Sequence, residues 1–196
     1  MKYNKLLDNS IYTIEDFLSK DKLNNLNNYL NDFKIVETPD HNFHVMEPTK
    51  QFNNFIEDKI SEIEGYKIEN ILSIFRISTN DLDTKWRIHC DSIINDKIPK
   101  RAVVLYISKS PMQGLHGTAF WEHKVYGDSL SYEDLDTDKF NNILLNDSEN
   151  LSMWKLNSVI GYKQNKLVSY PSNYFHSKYP NKSWEQGRKI FVMFYK

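Results

Sequence analysis

Residues 168–176, VSYPSNYFH, and residues 187–195, GRKIFVMFY, decide how this chain folds. Both runs are apolar enough to be strands in a core. Each also carries one residue that a core does not accept alone: His176 in the first, Arg188 in the second. Burial penalises the charged form of an imidazole or guanidinium unless a partner compensates it. Alternate side chains of a strand share a face, so Arg188, Ile190, Val192 and Phe194 would lie together, a cation set at the end of an apolar wall. Partners for the two polar residues must come from elsewhere in the chain.

Working outward, residues 70–78, 86–91, 101–108, 117–125, 154–162 and 166–171 are short runs rich in β-branched and aromatic residues and read as strands. Gln164 and Asn165 form the expected turn between the last two. Residues 128–150 are acidic and Asn-rich, with a short helix expected over 140–145. A long polar insertion between core strands predicts a mobile, specificity-determining lid over 128–153. At the N-terminus, Ile14, Phe17, Leu18, Leu23, Leu26, Leu30 and Phe33 give a helical stripe over 13–33, with Thr13 as its cap. An irregular connection follows over 37–49. A second amphipathic helix is expected over 49–64, stopped by Gly65. Helices followed by strands predict an α+β fold. The expected form is a two-sheet jelly roll, or double-stranded β-helix, with the N-terminal helices packed on the larger sheet. We expect one domain over 1–196, with helical support over 1–66 and a β core over 67–196.

Composition narrows the function classes. Charged residues are 26% of the chain and nearly balanced, net −1. That argues against a nucleic-acid or anionic-membrane partner, which would call for a basic excess. The single cysteine, Cys90, precludes an intrachain disulfide and suits a reducing compartment. With no apolar run of about 20 residues and no apolar N-terminal signal segment, a soluble cytoplasmic protein is expected.

The partner for His176 is read from His89-Cys90-Asp91. In an extended backbone His89 and Asp91 point to one side and can offer a nitrogen and an oxygen to one point. A third ligand must come from another strand, and His176 is the best candidate. Two histidines and one carboxylate on one face of a metal leave the opposite positions open, which suits non-haem Fe(II) binding a chelating cosubstrate and then dioxygen. Arg188 would then clamp the distal carboxylate of that cosubstrate.

This combination resembles the 2-oxoglutarate/Fe(II)-dependent dioxygenases, in particular their prolyl 4-hydroxylase-like branch, over about residues 70–196. The H-x-D pair, the distal histidine and the basic residue twelve positions after it match His89, Asp91, His176 and Arg188. Residues 103–108 are similar to the family strand ending in Tyr-Leu-Asn, which implies a cosubstrate-binding hydroxyl from Tyr106. Residues 117–120 resemble its Gly-x-Thr-x-Phe segment, which implies a pocket-lining role for Thr118. The resemblance implies Fe(II) and 2-oxoglutarate as cofactors, with succinate and carbon dioxide as co-products. It also implies hydroxylation of an unactivated C–H bond in a peptide, such as a peptidyl proline, or in a small molecule. Asp91 occupies the position that is small in the related halogenases, so hydroxylation is expected over halogenation.

Plainer readings compete. Arg188 could pair with Glu185, Tyr106 could be a core tyrosine, and the chain could be a non-catalytic jelly-roll module that retains a metal site. A cupin-type metal site would call for H-x-H where this chain has H-x-D. His116 and His123 read as structural or substrate-facing, His41 and His44 as exposed, and Cys90 as packing. Arg76 and Arg87 could line the outer pocket and meet an anionic substrate, or form surface pairs.

Overall fold

The computed structural model describes residues 2–6, 10–31, 43–79, 81, 83–110, 115–135, 137–182 and 187–196. Ten strands form two antiparallel sheets: β1 (Lys2–Leu6), β2 (Ile11–Glu15), β3 (His44–Met46), β4 (Asn70–Ser78), β5 (Arg101–Tyr106), β6 (Gly117–His123), β7 (Trp154–Gly161), β8 (Leu167–Pro171), β9 (His176–Tyr179) and β10 (Arg188–Tyr195). The large sheet runs β1-β2-β8-β5-β10-β4-β3 and the small one β7-β6-β9. Strand β10 lies between β4 and β5, with Ile190 opposite Arg76 on one side and Tyr106 on the other.

Alternation along the central strands sorts side chains into two cores. Phe191, Met193 and Tyr195 of β10, with Val103 and Leu105 of β5, face the helices. Ile190 and Val192, with Val104 and Tyr106, face the small sheet and meet Phe120 and Ile160. Helix α1 (Lys20–Asn31) buries Leu26 and Leu30, and α2 (Lys50–Glu64) buries Ile56 and Ile60, against the outer face of the large sheet. The Thr49 hydroxyl caps α2 by accepting the Phe52 N–H at 3.2 Å, and Gly65, at φ 78°, ends it as expected. Among the described residues no helix is long and apolar enough to cross a membrane.

Four local expectations change. The helical stripe over 13–33 begins too early: residues 11–15 are β2, where Thr13 pairs with Val168 instead of capping a helix. Asp16 takes a left-handed φ of 53°, and Asn165 then holds the chain, accepting from Phe17 N–H with its carbonyl and from Leu18 N–H with its side chain. The helix starts after Ser19, whose hydroxyl accepts the Lys22 N–H at 3.3 Å. Residues 168–176 are not one strand. Strand β8 stops at Pro171 in the large sheet and β9 starts at His176 in the small one, the corner being held by Ser172 N–H on the Lys100 carbonyl. Residues 86–91 are not a strand: Arg87 takes a left-handed φ of 49°, and among the described residues the run forms one bridge, His89 with His176.

The segment 128–153 packs in part against the small sheet. It contains α3 (Asp138–Asn142), a π-helical turn over 143–147 and a 3-10 turn over 151–153. Leu130, Leu135, Phe140 and Ile143 are buried with Trp121, Trp154 and Phe175, a third core on the outer face of the small sheet. His123 is enclosed there, its Nε2 3.3 Å from Asp147 Oδ2. Cys90 packs in the same core, and burial pushes its thiol up to about 12.

Candidate metal centre and adjoining cavity

Three chain segments meet at the corner after β8. His89 and His176 exchange backbone hydrogen bonds, N–H to carbonyl, at 3.0 and 2.7 Å. Asp91 N–H donates to the Ser172 carbonyl at 2.8 Å, and the Ser172 hydroxyl donates to the Pro99 carbonyl. These bonds hold the extended 89–91 segment beside the first residue of β9. One ligand atom each from His89, Asp91 and His176 lies within 4.8 Å of the others.

The donor chemistry fits a metal. Each imidazole Nδ1 is engaged by the carbonyl two residues earlier: His89 by Arg87 at 2.6 Å, His176 by Tyr174 at 2.9 Å. That contact makes Nδ1 the protonated nitrogen and leaves the Nε2 lone pair to face Asp91. The Nε2 atoms are 4.0 and 3.9 Å from Asp91 Oδ1, while the buried Asp91 Oδ2 has no hydrogen-bond partner among the described residues. Burial pushes the Asp91 carboxyl up to about 8, and holds the His176 imidazole well below its usual range and His89 at about 4. With both rings neutral, the contacts to Asp91 are not ion pairs. His89 keeps 35% side-chain exposure where it faces a cavity, so solvent moderates the effect there. A bound cation would let the carboxylate ionise and would occupy its empty lone pairs.

Arg188 lies on the inner face of β10 and is 6% exposed. Among the described residues its buried Nε has no hydrogen-bond partner and no carboxylate pairs with it. Glu185, the alternative partner, lies outside the described residues, as do His41 and Trp184. The guanidinium carbon is 5.7 Å from the Tyr106 ring and 5.8 Å from the Tyr162 ring, which stack at 4.2 Å. The Tyr106 hydroxyl and the Thr118 hydroxyl are 2.7 Å apart. All four side chains thus meet between the two sheets. Tyr162 was not legible in the sequence, because it reaches Arg188 only through the fold. Gly117 permits this approach of β6 to β7: a Cβ there would lie 2.0 Å from the Ile160 carbonyl oxygen.

His116 precedes β6 and contacts the Ser110 hydroxyl at 3.1 Å. His44, half-buried, lies in β3 opposite Ile77. A cavity of about 610 Å³ opens beside His89. Arg76, Arg87, Trp86, Val192 and Phe194 line it, with Leu144, Leu145, Ser148 and Glu149 of the inserted segment. Both Glu149 carboxylate oxygens accept backbone N–H groups, from Trp86 at 3.0 Å and Arg87 at 2.7 Å. Ser148 contributes its carbonyl to Ile88 N–H at 3.0 Å. The inserted segment therefore braces the backbone that delivers His89.

No family model and no curated protein matches this sequence. Its architecture is shared with solved structures, some of which hold 2-oxoglutarate. One is HygX from Streptomyces hygroscopicus with nickel, 2-oxoglutarate and hygromycin B bound. It is 10% identical over 95% of this chain and 82% of that one, with a TM-score of 0.62. Another is the epimerase SnoN in complex with Fe3+, alpha ketoglutarate and nogalamycin RO, at 9% identity over 95% and 78%, TM-score 0.64. A third is a Pseudomonas putida prolyl-4-hydroxylase, at 12% identity over 95% and 92%, TM-score 0.55. At these identities the likeness establishes a common fold.

Proposed function

We propose that this chain is an Fe(II)- and 2-oxoglutarate-dependent oxygenase, built as one jelly-roll (double-stranded β-helix) domain over residues 1–196. The observation that carries the reading is a pair of unsatisfied buried groups between the same two sheets. One is the Asp91 carboxylate facing two imidazole Nε2 atoms, and the other is the Arg188 guanidinium, whose Nε is unsatisfied and which no carboxylate pairs with among the described residues. A divalent metal answers the first and a dicarboxylate the second. The metal and cosubstrate bound to the neighbouring structures support the same assignment.

In this reading His89, Asp91 and His176 hold the metal by one face, and the Arg87 and Tyr174 carbonyls keep both imidazoles in the ligating tautomer. Arg188 and the Tyr106 hydroxyl bind the distal carboxylate of 2-oxoglutarate, with Thr118 orienting that hydroxyl. Bound iron and 2-oxoglutarate supply the oxidising power, consuming dioxygen and releasing succinate and carbon dioxide. The residues around the triad exclude bulk water and orient the substrate C–H bond. The reaction class is hydroxylation of an unactivated C–H bond, in a peptidyl proline, another amino-acid side chain or a small molecule.

Anaerobic Fe(II) plus 2-oxoglutarate should give a weak visible charge-transfer band with this protein. His176→Ala and Asp91→Ala should lose it, and succinate should form under air. Absence of both the band and succinate in the wild type would refute the reading. Arg188→Met should weaken 2-oxoglutarate binding by roughly tenfold or more while leaving metal affinity unchanged. Equal cosubstrate affinity in that variant would remove Arg188 from the site.

A further inference from the structure

The cavity beside His89 has a charge pattern that the metal and cosubstrate do not use. Four cationic residues line it, Arg76, Lys85, Arg87 and Lys178, against two acids, Asp83 and Glu149. The acids are already committed. Asp83, 1% exposed, pairs with Arg76 at 3.2 Å and with Lys178 at 3.2 Å. Glu149 accepts the two backbone N–H groups described above. Arg76 is fixed further by its Nε bond to the Ser78 hydroxyl at 3.2 Å and by the Phe43 ring 3.8 Å from its guanidinium. Among the described residues the Arg87 guanidinium has no acidic partner, although its backbone is clamped in a left-handed conformation, φ 49°. A non-glycine residue at such a φ is strained and persists where its surroundings hold it. Here the Glu149 carboxylate accepts the Arg87 N–H at 2.7 Å, and among the described residues no carboxylate pairs with the Arg87 guanidinium, two residues before His89.

The remaining walls are apolar. Val192 and Phe194 form the floor and Trp86 one side, while Leu144 and Leu145, 36% and 82% exposed, form the rim. A volume of about 610 Å³ suits a small organic molecule. Resting on the oxygenase reading, we infer that the substrate is a small amphipathic organic acid. Its carboxylate is held by Arg87 beside Arg76, and its apolar body lies on Val192, Phe194 and the Leu144–Leu145 rim. The anion thereby fixes which carbon of the apolar body is presented to the metal.

The test uses the full chain loaded with Ni(II) and 2-oxoglutarate, with three probes of one shape and different charge: 4-phenylbutyrate, its methyl ester and 4-phenylbutylamine. Binding is followed by calorimetry and by the quenching of tryptophan fluorescence. The acid should bind at least about tenfold more tightly than the ester or the amine. Arg87→Gln should remove that preference, and Arg87→Lys should keep part of it, the acid-to-ester affinity ratio being read within each variant so that any change in Ni(II) affinity cancels. Equal binding of the three probes, no binding of the acid, or wild-type acid affinity in Arg87→Gln would overturn the inference. So would competition of the acid with 2-oxoglutarate, which would put it at Arg188. The oxygenase reading fails separately. Acid binding retained without a charge-transfer band or succinate would leave the cavity assignment standing and refute the enzyme.

Discussion

At the scale of single residues, the centre is defined by polar atoms whose needs the protein does not meet. Among the described residues Asp91 Oδ2 and Arg188 Nε are buried without partners, and such atoms cost about 1–3 kcal/mol each when left unpaired. This predicts an asymmetry at Asp91. Asp91→Asn should leave the metal-free protein as stable as the wild type or more so, because a buried carboxylate is removed, while metal affinity is lost. Thermal melts with and without Ni(II) check it: only the wild type should gain stability from the metal. A marked loss of stability in metal-free Asp91→Asn would mean that the carboxylate has an unrecognised structural partner.

At the scale of elements, the three residues proposed as metal ligands depend on segments that carry none of them. The 128–153 layer holds residues 86–88 by three backbone hydrogen bonds, two to Glu149 and one to the Ser148 carbonyl. Groups that orient ligands typically govern metal affinity by about 10–100-fold. Glu149→Ala should therefore weaken Ni(II) binding within that range and leave the global unfolding transition in place, as read by metal titration and circular dichroism. The β6–β7 contact makes a separate prediction. Gly117→Ala places a methyl 2.0 Å from the Ile160 oxygen, so it should destabilise the fold by about 3 kcal/mol in urea unfolding and displace Thr118 from Tyr106.

For the whole molecule, three cores divide the work. The helix-covered core supports the large sheet from outside, the inter-sheet core encloses Arg188 and Tyr106, and the outer core of the small sheet supports the ligand segments. Glu64, near the end of α2, ties the first to the sheet by accepting the Tyr12 and Tyr195 hydroxyls at 2.8 and 2.5 Å. Because the helix layer lies on the opposite face from the site, Ile60→Ala should cost about 2–5 kcal/mol of stability. The Ni(II) affinity of the molecules that remain folded should not change. Parallel denaturation and metal titration of the variant separate the two effects.

What the sequence by itself determined is what depends on local period and residue chemistry. The faces of β10, the extent of α2 between Thr49 and Gly65, and the turn at Gln164 and Asn165 are legible because alternation, capping and turn formation act over a few residues. The grouping of His89, Asp91 and His176 was also legible, since an i, i+2 pair needs a third ligand and few residues could supply one. Only the tertiary structure decided the rest. Residues 11–15 fit a helical stripe, yet pairing with β8 and the grip of Asn165 make them a strand. Residues 168–176 read as one strand, yet they turn at Pro171 because their two ends serve different sheets. The polar look of residues 128–153 concealed a buried layer, because Leu130, Leu135, Phe140 and Ile143 are spaced too irregularly to show a period and find their partners only on the far side of β6.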